Sequence, residues 1–372
     1  VPAVPPSVDR PGGRLVVLGG GVIGWSVAWR AALAGWSVDV VDSRPGRGSS
    51  WVAGGMLAPL TEGHPGEEAL LELGSESLRR WPSFAGDLEA AAGQPCGLSA
   101  EGTVVVGLDS GDRAELARTV EYLIAQGRCV EILDDDEVHR LEPGLAPTLT
   151  SGLSISQERS VDNRALLAAL RSATYRAGVR TVERAVAGLD DALVGDADQV
   201  VVAAGIGSPE LLGASWSGAG ALLVRPVKGE ILRLRHRSGA IPVPRHTIRA
   251  LVHGRSVYLV PRSDGVVVGA TQHEAGTDTT VTVGGVRDLL ADAAAVLPGL
   301  AEFELVEHAA GLRPTSPDGV PFIGRLDDRV VLATGHGRNG VLLAPLTADA
   351  VVAELAGTPV AAAKPADPWR FS

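Results

Sequence analysis

The residues from 15 to 42 constrain this chain more than any other stretch. Leu15-Val16-Val17-Leu18 reads as a buried strand, Gly19-Gly20-Gly21-Val22-Ile23-Gly24 as a glycine turn, and the residues up to Ala34 as a helix that Gly35 stops. Val38-Asp39-Val40-Val41-Asp42 follows as a second strand ending on a carboxylate. Each part has a physical task if a dinucleotide sits there. Gly19 permits a tight turn, Gly21 lets the backbone approach a pyrophosphate, and Gly24 lets helix and strand pack closely. The helix N-terminus then turns N–H groups and a positive dipole end toward the phosphates. Asp42 stands eighteen residues after Gly24, where a carboxylate can accept both hydroxyls of an adenosine ribose and repels a 2′-phosphate. The alternative is an ordinary βαβ unit with a solvated Asp42, and the stretch does not choose between FAD and NAD.

The rest of the chain sets bounds. Its 372 residues correspond to about two to three domain equivalents. A net charge of −11 argues against nucleic acid and anionic membranes as partners. Cys96 and Cys129 form no metal-ligand pattern and read as free thiols in a reduced, cytoplasmic compartment. Residues 1–13 read as a flexible proline-rich tail without the apolar core of a signal peptide.

After Asp42 comes a polar loop through Ser49 and Ser50, then Trp51-Val52-Ala53-Gly54-Gly55-Met56-Leu57-Ala58-Pro59. These small residues suit either a backbone lying flat against a planar ligand or a tight packed loop. Helical spacing covers residues 67–81, and 100–133 reads as a compact strand–helix–strand unit. The acidic run 134–137 reads as a helix start. Asp162 and Asn163 cap a helix over 164–177, and a strand over 198–202 runs into Ala203-Ala204-Gly205. From Val224 the pattern becomes antiparallel: strands at 257–260 and 266–269 flank Asp264-Gly265, a hairpin signal. Near the end, the strand 330–334 meets Gly335-His336-Gly337-Arg338-Asn339-Gly340, and a helix is expected over 341–355.

No nucleophile, P-loop or zinc motif is present, so in an enzyme the cofactor would carry the hard chemistry. The turn 335–340 either stabilises a developing anion or is a plain strand-to-helix turn. Arg313, before Pro314, is either a structural ion pair or a carboxylate clamp, for which bidentate geometry suits arginine. For Tyr258 a core or sheet-surface place is the commoner case, and Lys228 reads as a surface lysine.

Six blocks taken together resemble the D-amino-acid oxidase-like flavoproteins, and within them the glycine oxidases of thiamine biosynthesis, in an actinobacterial-like form. They are Gly19–Gly24 with Asp42, the run 50–59, Arg225-Pro226-Val227-Lys228-Gly229-Glu230, Val257-Tyr258-Leu259-Val260-Pro261-Arg262, Gly311-Leu312-Arg313-Pro314 and the turn 335–340. The resemblance implies an α/β (α+β) fold: a Rossmann-like FAD-binding domain (14–85, 160–215, 306–372) interleaved with a mostly antiparallel substrate-binding domain (86–159, 216–305). It implies non-covalent FAD held by Gly19, Gly21, Val22, Ile23, Gly24, Asp42 and Ser43. Ser49, Ser50, Ala53, Gly54, Gly55, Met56 and Leu57 would border the flavin, with Val186 at the adenine. Ala204, Gly205, Gly311, Arg313, His336, Gly337, Arg338, Asn339 and Gly340 would complete the cofactor contacts.

In the same resemblance, Arg313 clamps the substrate carboxylate, Tyr258 adds a hydroxyl, and Arg338 lies near the amine through its backbone. The implied reaction takes glycine and oxygen to iminoacetate or glyoxylate, ammonia and hydrogen peroxide, by hydride transfer to flavin N5. The imine would supply the thiazole of thiamine. A homo-oligomer is expected, with no metal. A sarcosine or D-amino-acid oxidase shares these motifs, and a non-catalytic dinucleotide-binding sensor would keep only the first. Ser256 and Gln272 near Tyr258 receive no role.

Overall fold

The computed structural model describes residues 12–213 and 224–371. The expected tail 1–13 lies outside them but for its last two residues. So do the residues on either side of the expected 215/216 boundary.

Among the described residues a parallel sheet runs in the order Phe322–Arg325, Val330–Thr334, Gln199–Val202, Arg14–Leu18, Ser37–Asp42, Arg180–Glu183. Only Phe322–Arg325 is antiparallel to its neighbour. Both faces are covered, so the strands read as unbroken apolar runs rather than alternating ones. Leu15 and Val17 face a core that includes Trp25, Trp29, Trp81 and Phe84, while Val16 and Leu18 face a second core with Val200, Val202 and Leu332. Phe84 meets Trp29 and Trp81 edge to face at 5.4 and 5.5 Å. Arg14–Leu18 is flanked by Ser37–Asp42 on one side and Gln199–Val202 on the other. The order reverses between those neighbours, and a crevice forms beyond the strand ends at such a point.

A second, eight-stranded sheet runs Glu304–Thr315, Arg225–Arg235, Gly265–Gly269, Arg255–Arg262, Thr247–Val252, Thr103–Gly107, Gly152–Ile155, Glu131–Leu133. It is antiparallel except where Thr103–Gly107 meets Thr247–Val252. Helix Val283–Val296 packs on it through Leu289, Ala293 and Val296. The mixed α/β architecture agrees with the expected fold class. The expected breaks at 85/86 and 305/306 fall inside helix Glu68–Ala92 and strand Glu304–Thr315.

Several local expectations change. Helix Glu68–Ala92 passes through Pro82 because burial of Trp81, Phe84 and Leu88 outweighs the lost hydrogen bond. The strands Thr103–Gly107 and Glu131–Leu133 do not pair with each other, since Gly152–Ile155 lies between them. The acidic run is a helix start, with Asp134 and Glu137 forming a reciprocal cap. Gly265 sits in a strand, and its lack of a side chain serves close approach: a Cβ there would stand 1.9 Å from the Leu234 carbonyl. The last helix starts at Ala344, three residues later than expected, with Pro345 in its first turn. The turn 335–340 therefore opens a single 3-10 turn, Gly337–Asn339, and not the long helix itself.

Candidate active site

A cleft of about 870 Å³ opens where the two sheets meet, within the range of ~300–1,000 Å³ usual for small-molecule sites. At the parallel sheet it is lined by Gly19, Gly21, Val22, Ile23, Asp42, Ser43, Val186, Ala204 and Gly205. Gly19 holds φ +112°, and a Cβ on it would stand 2.3 Å from the Ala203 carbonyl. A Cβ on Gly24 would stand 1.8 Å from the Gly19 carbonyl. Gly24 thus packs the helix on the turn and does not face the cleft. The Asp42 carboxylate accepts the Gly20 N–H at 2.6 Å and the Arg44 N–H at 2.7 Å. It ties the turn to the second strand and retains lone pairs for a ligand. The Ser50 hydroxyl accepts the Val22 N–H at 3.0 Å.

The run after Ser50 forms the middle of the cleft: Ser49, Ser50, Ala53, Gly54, Gly55 and Met56 line it. Leu57 does not. It is fully buried in the core under the parallel sheet, because successive side chains of the short strand Met56–Leu57 point to opposite faces. Residues that sequence reasoning missed fix this run. Asn163 donates to the Ser50 and Trp51 carbonyls at 2.8 and 2.9 Å and accepts from Arg233 at 3.0 Å. Arg262 donates to the Gly54 carbonyl at 2.6 Å, and burial, with Arg233 opposing it further, pushes its guanidinium down to about 10. Trp51 is sandwiched between Arg47 and Arg164, each 4.1 Å from the ring centre.

From the last third of the chain, Gly311, Arg313, His336, Gly337, Arg338 and Gly340 line the cleft, whereas Asn339 is buried behind it. The His336 imidazole turns away to Thr347, 3.0 Å from its hydroxyl, and burial pushes it down to about 3, so it is neutral. The Arg338 side chain pairs with Glu62 at 3.2 Å and Glu67 at 2.8 Å.

The antiparallel sheet contributes Tyr258, Arg249 and Ser256, and the segment after strand Gly265–Gly269 contributes Gln272. Arg249 and Tyr258 are paired across adjacent strands. Arg249 binds Glu62 at 2.9 Å, so Glu62 stands between two arginines. Glu158 accepts the Leu60 and Thr61 N–H groups at 2.9 and 2.8 Å and holds the turn that carries Glu62. Burial raises the Glu158 carboxyl above its ordinary value. Arg249 and Glu62 carry no sequence signal, since their meeting depends on long-range register.

Arg313 differs from the cleft arginines Arg249 and Arg338, which both pair with Glu62. Its Nη1 donates to the Thr271 carbonyl at 3.2 Å and the Lys228 carbonyl at 3.5 Å, and it forms no ion pair with a carboxylate among the described residues. Three glycines make room for it and for Tyr258. A Cβ on Gly229 would stand 2.4 Å from the Arg313 guanidinium. A Cβ on Gly54 or Gly269 would stand 2.7 or 2.4 Å from the Tyr258 ring. Burial holds the Tyr258 phenol above its ordinary range, against the opposing charge of Arg313, so its hydroxyl stays a donor. Lys228 is not the expected surface lysine. It is 2% exposed, with Asp278 at 2.9 Å and Glu230 at 3.5 Å.

The glycine cradle, the ribose-ready carboxylate and the flat small-residue run fit a flavin dinucleotide. Cys96 is buried in the core and Cys129 is exposed, and neither lines the cleft. Among the described residues no helix is long and apolar enough to cross a membrane.

Comparison with known proteins agrees with this geometry. The bifunctional protein ThiO/ThiG of Trichormus variabilis is 31% identical over 354 residues, which are 90% of this chain and 51% of that protein. The chain thus spans about half the length of the bifunctional relatives it matches. The glycine oxidase of Bacillus licheniformis is 30% identical over 369 residues, 93% of each chain. The crystal structure of glycine oxidase from Geobacillus kaustophilus has a TM-score of 0.85 at 30% identity, covering 96% of this chain and 99% of that one. A family model described as FAD dependent oxidoreductase matches residues 14–355. With more than nine tenths of its length inside that match, the chain belongs to the DAO family of FAD-dependent oxidoreductases.

Proposed function

We propose that this protein is an FAD-dependent glycine oxidase that supplies the imine for the thiazole of thiamine, with oxygen as the final acceptor, reduced to hydrogen peroxide, and with glyoxylate and ammonia formed where the imine hydrolyses. The observation that carries the reading is Arg313: a cleft guanidinium held by backbone carbonyls and paired with no carboxylate of the chain among the described residues. It is oriented and charged for a carboxylate brought in by a ligand. Tyr258 adds a protonated hydroxyl from strand Arg255–Arg262 of the same sheet. The name glycine oxidase supports the same substrate, and the words thiamine biosynthesis oxidoreductase in the name of a Rhizobium etli relative support the pathway.

Bound FAD supplies a two-electron acceptor that oxygen reoxidises. The chain's own work is placement. Gly19, Gly21 and the first turn of helix Val22–Leu33 receive the pyrophosphate, and Asp42 receives the ribose. Arg313 and Tyr258 hold the amino acid by its carboxylate, which fixes the direction of its Cα. No side chain is needed as a strong base when the amine enters as its free lone-pair form, and such positioning accounts for many orders of magnitude in rate. Gly337, Arg338 and Gly340 line the cleft, where backbone N–H groups would suit developing negative charge. We extend the reading to a homo-oligomer in the cytoplasm, the free thiols Cys96 and Cys129 being consistent with a reducing compartment.

The test is anaerobic mixing of the yellow protein with glycine, sarcosine and D-alanine, followed at the flavin band. Fastest bleaching by glycine is expected, accelerating as pH rises and the amine loses its proton. A yellow protein that none of the three bleaches would overturn the substrate, and a chain that cannot take up FAD would overturn the reading as a whole.

A further inference from the structure

Lys228 is the one buried lysine beside the cleft, and the chemistry above does not use it. Lysine is rarely buried unless paired, and burying such a pair seldom adds stability. The Lys228 ammonium binds Asp278 at 2.9 Å, donates to the Thr280 carbonyl, and lies 3.5 Å from Glu230. Fully buried Glu230 accepts the Thr282 N–H at 2.9 Å. Along the backbone, the Lys228 N–H donates to the His273 carbonyl at 2.9 Å and the His273 N–H donates back at 3.0 Å. Residues 228 and 230 therefore grip the segment 271–282 at 271, 273, 278, 280 and 282. Between these grips lie Gln272 and Thr279, both lining the cleft. At the head of the segment, the Thr271 carbonyl accepts from Arg313, as does the Lys228 carbonyl itself.

We propose that Lys228 is a positioning residue for the amino-acid end of the cleft. Its ammonium straps residues 278–280 against strand Arg225–Arg235, and so steadies the wall formed by Gln272 and Thr279 and, through the segment, the Thr271 carbonyl that orients Arg313. The proposal rests on the reading of Arg313 as the carboxylate clamp.

The test compares flavin-loaded wild type, Lys228→Met and Asp278→Asn. Two readouts are taken: anaerobic titration with glycine, and hydrogen–deuterium exchange along the chain. Both variants should need about tenfold more glycine for half-maximal reduction, while the limiting rate changes less than about threefold. Amides at 274–282 should exchange faster in both, with the parallel sheet unchanged. Unchanged exchange at 274–282 would overturn the strap, and faster exchange with unchanged glycine dependence would overturn the role in substrate positioning. Should Lys228→Met fail to fold, Asp278→Asn decides by the same readouts, its side chain being about half exposed. If glycine does not reduce even the wild-type flavin, the proposed function fails, and the exchange comparison alone supports or overturns the strap.

Discussion

Gly229 faces Arg313 so closely that a Cβ on the glycine would stand 2.4 Å from a guanidinium nitrogen. The two strands that carry them are paired in register, Val227 opposite Arg313 and Gly229 opposite Gly311. The obstacle would meet the far end of a flexible side chain, so Gly229→Ala should displace the guanidinium without unfolding the sheet. The expected outcome is a KM for glycine about 10- to 100-fold higher, with FAD content and melting temperature close to wild type. Steady-state kinetics beside a flavin absorbance spectrum checks both halves.

Removing the guanidinium outright should do more. Arg313→Ala should raise KM by about 100-fold or more, the range of a lost charge-assisted hydrogen bond. Arg313→Lys should recover only part of this, since an ammonium cannot reproduce the planar fork. Tyr258→Phe should weaken binding by about 3- to 10-fold, as for a neutral hydrogen bond. A KM for glycine unmoved in Arg313→Ala would remove the residue from the clamp.

His336 links the cleft turn to acid stability. Burial pushes its imidazole down to about 3 from 6.5, so the folded chain keeps it neutral. Below 6.5 the unfolded chain takes up a proton that the folded chain refuses until about 3, so stability falls with pH across that window. Relative to wild type, His336→Gln should gain up to about 1.4 kcal/mol for each pH unit below that value. Urea unfolding of both proteins at neutral and mildly acidic pH gives the difference. A difference independent of pH would mean that the folded chain takes up the proton as readily as the unfolded one.

Two glycine-to-alanine changes should have opposite outcomes. Gly86 lies exposed inside helix Glu68–Ala92 with nothing within 4 Å of a Cβ built on it. Gly86→Ala should stabilise the chain by about 0.5–1 kcal/mol through helix propensity. Gly24→Ala would drive a methyl to 1.8 Å from a backbone carbonyl and should abolish FAD retention or folding. Denaturant titration and flavin content separate the cases.

What the sequence made legible was local. Gly24 and Asp42 are constrained by neighbours within one βαβ unit, and spacing expresses that constraint, whereas the carbonyl nearest Gly19 is that of Ala203, far along the chain. Tyr258 and Arg313 were visible through the blocks around them, although only the strand register brings both into one cleft. The roles of Arg249, Glu62, Asn163, Arg233 and Arg262 were not visible, because each acts through a partner far along the chain; Asn163, expected as a helix cap, is the first residue of the helix that Asp162 caps. The hairpin joining Thr247–Val252 to Arg255–Arg262 was missed for a different reason. Its turn uses His253 at φ +52°, a conformation that histidine seldom advertises. Leu57 was placed at the flavin because its neighbours are there, and one step of strand alternation sends it into the core.

The strand order of the parallel sheet also bears on how the chain is made. Gln199–Val202 lies between Arg14–Leu18 and Val330–Thr334. During synthesis from the N-terminus, one edge of Gln199–Val202 waits without its partner while more than a hundred further residues leave the ribosome. That edge is apolar and suited to pairing with another nascent chain. Chains ending before Val330 should therefore collect in insoluble aggregates.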